Sequence, residues 1–90
     1  MPLGLGELRY FLAVAEHRHF RRAAEQIGMN PTRLSLAIRR LEAEVGTPLF
    51  QRTTRSVELT PAGEALLPHA RRALLAFDTA LKAARAASDQ

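Results

Sequence analysis

Cysteine is absent from the 90-residue chain, which excludes disulfide bridges, thiolate catalysis and zinc sites built on cysteine. No apolar run approaches the roughly 20 residues that a membrane-spanning helix requires. The opening residues MPLGLGELRY also lack the basic and apolar segments of a secretory signal peptide. These absences predict a soluble, cytoplasmic protein with no membrane partner.

Lysine is almost absent as well, since Lys82 is the only one and arginine supplies every other basic side chain. The chain carries 13 lysine and arginine residues against 9 acidic residues, which gives a net charge of +4. Arginine binds phosphates and base edges with two parallel hydrogen bonds, whereas lysine acts as a point charge. A GC-rich genome also raises the arginine content, so composition alone does not identify a nucleic acid as the partner.

Groups that would carry catalysis or bind a metal are not clustered in the sequence. His17, His19 and His69 are scattered, and no second ligand falls at a spacing typical of a metal site. No Ser/His/Asp arrangement and no pair of carboxylates stands out either. We therefore expect no enzyme, no cofactor and no metal. With 90 residues, the chain suits one small domain whose modest core would gain from a second subunit.

Apolar residues recur at helical spacing in the first half of the chain. Residues 5–16 predict a first helix, and a second helix is predicted to end at Gly28. Asn30 and Pro31 then suit the N-cap and first position of a third helix, which Gly46 and Pro48 end. The predicted inward residues are Leu8, Phe11, Leu12 and Ala15 in the first helix, Phe20, Ala23, Ala24 and Ile27 in the second, and Leu34, Ile38, Leu41 and Val45 in the third.

The second half predicts a hairpin and a long helix. Residues 49–59 alternate in polarity around TTRS, which indicates two short strands packed on the helices. Thr60 and Pro61 then begin a helix of about 25 residues, in which Pro68 is expected to kink the helix or remove one hydrogen bond. Its heptad pattern favours pairing with the same helix of a second subunit through residues 62–87. The predicted dimer contacts are Leu66, Leu67, Ala70, Ala73, Leu74, Phe77 and Leu81.

These elements predict a mostly α protein. Residues 1–60 would form a winged helix-turn-helix of three helices and a two-stranded β wing, and residues 61–90 a long dimerisation helix. The third helix of such a motif projects toward a DNA groove, and arginines far outnumber glutamates between residues 18 and 55. The competing interpretation is a helical protein–protein dimerisation module with no specific DNA target.

Three segments, FRRAAE, IRRLEAEVGTPLFQR and VELTPAGEALLPHAR, closely resemble the N-terminal DNA-binding domain of LysR-type transcriptional regulators. The resemblance covers residues 5–89. It implies promoter binding as a homodimer, or as a tetramer of full-length chains, and a C-terminal domain that binds a small-molecule effector. This chain contains no such domain, so we expect a fragment of a longer regulator or, alternatively, a naturally short protein.

The third helix departs from the family pattern where relatives contact DNA. Most members carry Gln and Arg at the positions of Pro31 and Leu36, while Arg33 here adds a long donor that they lack. We expect Arg33 to read a base, with a phosphate contact as the alternative. Leu36 is expected either to touch a thymine methyl group or to be an ordinary surface leucine.

The remaining expected DNA contacts lie on the third helix, at the second helix and in the wing. Arg39 and Arg40 are expected to bind phosphates or to pair with glutamates such as Glu42 or Glu44. The resemblance assigns Arg55 to the minor groove, and Arg52 is expected to brace the wing or hold the DNA backbone. The full predicted set of DNA contacts is Asn30, Thr32, Arg33, Ser35, Leu36, Arg39, Arg40, Arg22, Arg52 and Arg55.

Overall fold

The computed structural model describes residues 3–53 and 56–88. In chain order the elements are α1 (Leu5–His17), α2 (Phe20–Ile27), α3 (Pro31–Val45), β1 (Phe50–Arg52), β2 (Val57–Leu59) and α4 (Pro61–Ser88). The two strands pair antiparallel, with Phe50 opposite Leu59. The predicted winged helix-turn-helix with a long final helix is therefore confirmed.

The turn between α2 and α3 forms as its residues predict. Gly28 adopts a left-handed conformation with φ of 67°, which glycine reaches without steric cost. The Met29 N–H then donates to the Ala24 carbonyl at 2.8 Å, which closes the end of α2. At the start of α3, Asn30 Oδ1 accepts from the N–H groups of Thr32 (2.8 Å) and Arg33 (3.3 Å). This cap fixes where α3 begins and which way it points.

A single apolar core joins the three short helices to the wing. Phe11 and Leu34 are fully buried, and the ring of Phe11 lies 5.2 Å from that of Phe50 in β1. Ala23 and Ala24 have no exposed surface, so their small side chains let α2 approach its neighbours closely. Each large buried side chain contributes roughly 1.5–3 kcal/mol. The core therefore holds α3 and the wing in a fixed relation.

Two parts of the predicted core differ in the structure. Val45 was predicted to be buried, which is wrong, because its side chain is 47% exposed. It is the last residue of α3, and Gly46 turns the chain away in a left-handed conformation (φ 92°). Ala37 lies inward instead, at 7% exposure. In α1 the most buried side chains are Phe11 and Val14, while most of the predicted stripe is half-buried.

The start of α4 is fastened to the wing. Thr60 Oγ1 accepts from the Gly63 N–H (3.1 Å) and donates to the Pro48 carbonyl (2.7 Å). Gly63 lies so close to the backbone of Leu49 that any side chain there would collide with the Leu49 carbonyl oxygen. The helix continues through Pro68 for 28 residues, or about 42 Å. Its beginning is therefore part of the domain, and every residue from 75 to 88 is exposed.

Candidate nucleic-acid interface

The outer face of α3 is exposed while its inner face is buried. Leu34 and Ile38 have no exposed surface, and Leu41 is nearly buried. The exposed side chains of this helix include Thr32, Arg33, Leu36, Arg39 and Arg40, and Ser35 is half-buried beside them. These residues share one side of the helix because successive positions rotate by about 100°. The structure therefore brings together the predicted DNA-contacting residues of α3 on one surface, which we call the outer face of α3.

Asn30 has a structural role at the edge of this face. Its side-chain oxygen accepts both hydrogen bonds of the N-cap, from Thr32 and Arg33. These bonds satisfy backbone donors that would otherwise have no partner at the helix start. Any contact of Asn30 with DNA must therefore use its amide nitrogen, since the oxygen already orients the first turn that carries Arg33.

Arg52 connects the wing to two helices. Its guanidinium carbon lies 4.3 Å from the ring centroid of Phe20, which begins α2. Its Nη2 also donates to Ser35 Oγ on α3 at 3.3 Å. Phe20 in turn packs edge-on against Phe50, with ring centroids 6.2 Å apart. Arg52 thus holds β1 against the helix-turn-helix, in agreement with the expectation that it braces the wing.

The wing is closed by hydrogen bonds at its tip. The Thr53 N–H donates to the Ser56 carbonyl and the Ser56 N–H donates to Thr53 Oγ1, each at 2.9 Å. The Val57 N–H donates to the Arg18 carbonyl at 3.2 Å and ties β2 to the turn before α2. Arg55, the predicted minor-groove residue, lies outside the described residues. The hairpin nevertheless stands beside the start of α2 and the outer face of α3.

The start of α2 contains a feature that the sequence did not reveal. His19 is its N-cap, and its Nδ1 accepts from the Arg22 N–H at 3.2 Å. Histidine is not among the usual N-cap residues, so no local signal pointed to this role. Arg22 lies three residues later with an exposed side chain, and Arg18 and Arg21 line a shallow groove between this helix start and the wing. Arginines therefore lie at the start of α2, beside the wing, as well as on α3.

The Glu42 carboxylate accepts hydrogen bonds from the backbone. Its Oε2 accepts from the N–H groups of Leu49 (2.7 Å) and Phe50 (3.3 Å), where the chain enters β1. Glu42 was one of the two acidic partners considered for Arg39 and Arg40, and the structure corrects that expectation. The carboxylate instead secures the wing to α3, which no short-range sequence pattern indicates.

The predicted dimer residues of α4 fall into two groups. Ala70 is fully buried within the chain itself, so it offers no surface to a partner, and Leu66, Leu67, Ala73 and Leu74 are half-buried. Phe77 and Leu81 are each 39% exposed, beyond the point where the rest of the domain covers the helix. The apolar stripe of α4 thus lies partly in the domain's own core and partly on the exposed C-terminal half of the helix.

Metal-binding clusters and membrane-spanning helices are both missing from the described ranges, 3–53 and 56–88. Neither range contains a group of three His, Cys, Asp or Glu side chains placed to hold a metal ion. Neither contains a helix that is both long and apolar enough to cross a bilayer.

Comparison with known proteins identifies the family. A family described as bacterial regulatory helix-turn-helix protein, lysR family, matches residues 5–64. The chain is 58% identical over 78 residues to the HTH-type transcriptional regulator BudR of Klebsiella aerogenes, covering 87% of this chain and 54% of BudR. It is 52% identical over 83 residues to ShiR of Corynebacterium glutamicum, covering 92% of this chain and 28% of ShiR. The chain therefore spans about half or less of these regulators.

Solved structures agree in fold over nearly the whole chain. The DNA-binding domain of BenM in complex with catB site 1 DNA has a TM-score of 0.94 at 32% identity, over 98% of each chain. The CbnR DNA-binding domain in complex with DNA has a TM-score of 0.89 at 35% identity, over 96% of this chain and 99% of that one. This protein therefore belongs to the LysR family of bacterial regulatory helix-turn-helix proteins and is a helix-turn-helix DNA-binding domain of that family.

Proposed function

We propose that the chain recognises specific promoter sequences by placing α3 in the major groove and the wing at the adjacent minor groove. The observation that supports this proposal is the division of α3 into a buried side and an outer face rich in arginine. An α-helix fits the major groove of B-DNA, where each base pair presents a distinct pattern of donors and acceptors. A helix anchored on one side and basic on the other is suited to this placement.

Individual roles follow from position and chemistry. Arg33 stands exposed in the first turn of α3, where a guanidinium reaches base edges, and we assign it to guanine O6 and N7. Thr32 lies next to it and would contact a phosphate or a thymine methyl group. Arg39 and Arg40 lie farther along the helix and Arg22 lies on α2, which suits phosphate contacts.

The other predicted residues lie at the edge of the proposed DNA interface. Asn30 and Ser35 contribute through the N-cap and through the bond to Arg52, so any DNA contact that they make is secondary. Arg52 orients the wing, and its charge would lie near the DNA backbone. Arg55 is assigned to the minor groove on the family resemblance.

We further propose that residues 61–90 form the dimerisation helix and residues 1–60 the DNA-binding unit. The exposed Phe77 and Leu81 supply the contact that the domain's own core does not cover. A homodimer would present two copies of α3 to two half-sites. In a full-length regulator the same helix would lead to a C-terminal effector domain in a cytoplasmic, tetrameric protein.

The salt dependence of DNA affinity tests the electrostatic part of this proposal. Each neutralised phosphate contributes about −0.9 to the slope of log K against log salt concentration. Several arginines on α2, α3 and the wing predict a steep negative slope, measured by fluorescence anisotropy with a labelled duplex. An affinity that stays flat from low to moderate salt contradicts the proposal. The alternative, a dimerisation module without a DNA target, predicts that no DNA fragment shifts in a gel.

A substitution at Arg33 tests the placement of α3. Arg33→Ala is expected to relax specificity at one base pair at a cost of roughly 1–3 kcal/mol. Arg39→Ala is expected to weaken all sequences alike, because a phosphate carries no sequence information. Arg71→Ala, an exposed arginine on α4, serves as the matched control and should change neither quantity. Equal losses on all sequences for Arg33→Ala would reassign it to a phosphate.

A further inference from the structure

A large apolar side chain stands in the middle of the basic outer face of α3. Leu36 is 52% exposed, although Arg33, Arg39 and Arg40 surround it on the same helix. The other large exposed apolar residues of the described chain lie at the end of α3 or on α4. These are Val45, Leu75, Phe77 and Leu81.

Leu36 forms a ridge between two shallow grooves on this surface. One groove is lined by Pro31, Thr32, Ser35 and Arg39 on the outer side of α3. The other lies between α3 and α1 and is lined by Arg33 and Arg40, among others. Leu36 lines both grooves. Its side chain therefore lies between them, on the exposed side of the helix.

An isobutyl group in this position limits what Leu36 can recognise. It has no donor or acceptor, so it cannot replace the water that hydrogen-bonds the polar edges of guanine, adenine or cytosine. The C5-methyl group of thymine is the apolar feature of the major groove. Covering the amino group of cytosine with leucine would leave a donor without a partner, which disfavours that base.

We propose that Leu36 is a specificity-determining residue that reads a thymine methyl group through apolar contact. This inference rests on the proposed placement of α3 in the major groove. Arg33 lies three positions earlier on the helix, close enough for the two side chains to read neighbouring base pairs. The combination predicts an operator half-site in which a thymine lies next to a guanine contacted by Arg33.

The test removes one methyl group at a time from the DNA. A duplex is first selected by the wild-type chain from a random pool. Each thymine is then replaced by deoxyuridine, which lacks only the C5-methyl group. Loss of the contacted methyl should weaken wild-type binding about fourfold, which corresponds to about 0.8 kcal/mol. Leu36→Ala should bind the thymine and uracil duplexes with equal affinity, while Val45→Ala, a control of similar exposure on the same helix, should retain the difference.

Three outcomes overturn the inference. Wild-type binding that is unaffected by uracil at every position shows that no methyl group is read. A uracil effect of the same size in Leu36→Ala and the wild type assigns the methyl contact to another residue. Failure to select any sequence refutes the proposed function itself and removes the basis for the inference. Thermal melting of Leu36→Ala should match the wild type, since the side chain is exposed.

Discussion

Replacing Glu42 tests whether the wing is held by a hydrogen-bonded carboxylate. Its Oε2 accepts from the Leu49 N–H at 2.7 Å and from the Phe50 N–H at 3.3 Å, in a partly buried position. Hydrogen bonds to a charged group are worth about 1.5–3 kcal/mol, and the longer of the two contributes less. Glu42→Ala leaves both donors without this partner, so we expect the free energy of unfolding to fall by about 2–4 kcal/mol.

Urea and thermal unfolding, followed by circular dichroism at one fixed protein concentration, measure this loss. For a domain of this size each kcal/mol lowers Tm by roughly 4–8 °C. Glu42→Gln keeps a neutral acceptor and should lose about half as much. Glu44→Ala is the matched control, because Glu44 is an exposed neighbour on the same helix and should change stability by less than about 0.5 kcal/mol. If Glu42→Ala and Glu44→Ala unfold alike, the carboxylate does not hold the wing.

Three further predictions concern packing, the wing and assembly. Gly63→Ala should lower the free energy of unfolding by about 1–3 kcal/mol, because the new Cβ meets the carbonyl of Leu49; an unchanged denaturation midpoint would show that the contact relaxes freely. Arg52→Lys keeps the charge but loses the planar contact with Phe20, which is worth about 0.5–1 kcal/mol. The wing should be held less firmly, so DNA affinity should fall while the slope of log K against log salt concentration stays the same. A salt slope reduced by about 1 in Arg52→Ala would instead make Arg52 a phosphate contact. Phe77→Asp should yield monomers in size-exclusion chromatography with light scattering, and a surviving dimer would place the interface elsewhere.

Elements set by local chemistry were predictable from the sequence. Asn30 caps α3 and Gly28 ends α2, as predicted. Both features were predictable because helix capping depends on the capping residue and its immediate neighbours. The exposed side of α3 followed in the same way, since helical periodicity separates Leu34 and Ile38 from Leu36 and Arg39. The resemblance to LysR-type regulators then supplied the identity of the family.

Features that depend on packing across the fold were not predictable. Glu42 accepts from backbone N–H groups at the start of the wing, and Arg52 in β1 stacks on the ring of Phe20 in α2, so neither partner follows from spacing along the chain. Periodicity placed Val45 inside because it cannot detect where the end of α3 extends past the core. The heptad pattern of α4 likewise did not show that Ala70 is buried by the chain's own core.

The affinity of a selected sequence measures whether the outer face of α3 recognises specific DNA. The wild-type chain would select duplexes from a random pool, and equilibrium affinities for the selected duplex and a shuffled one would be compared at the same salt concentration. We expect tighter binding to the selected duplex by a factor of about 10³ or more, because contacts to base edges add to the contacts with phosphates. Equal affinities for the two duplexes would contradict it.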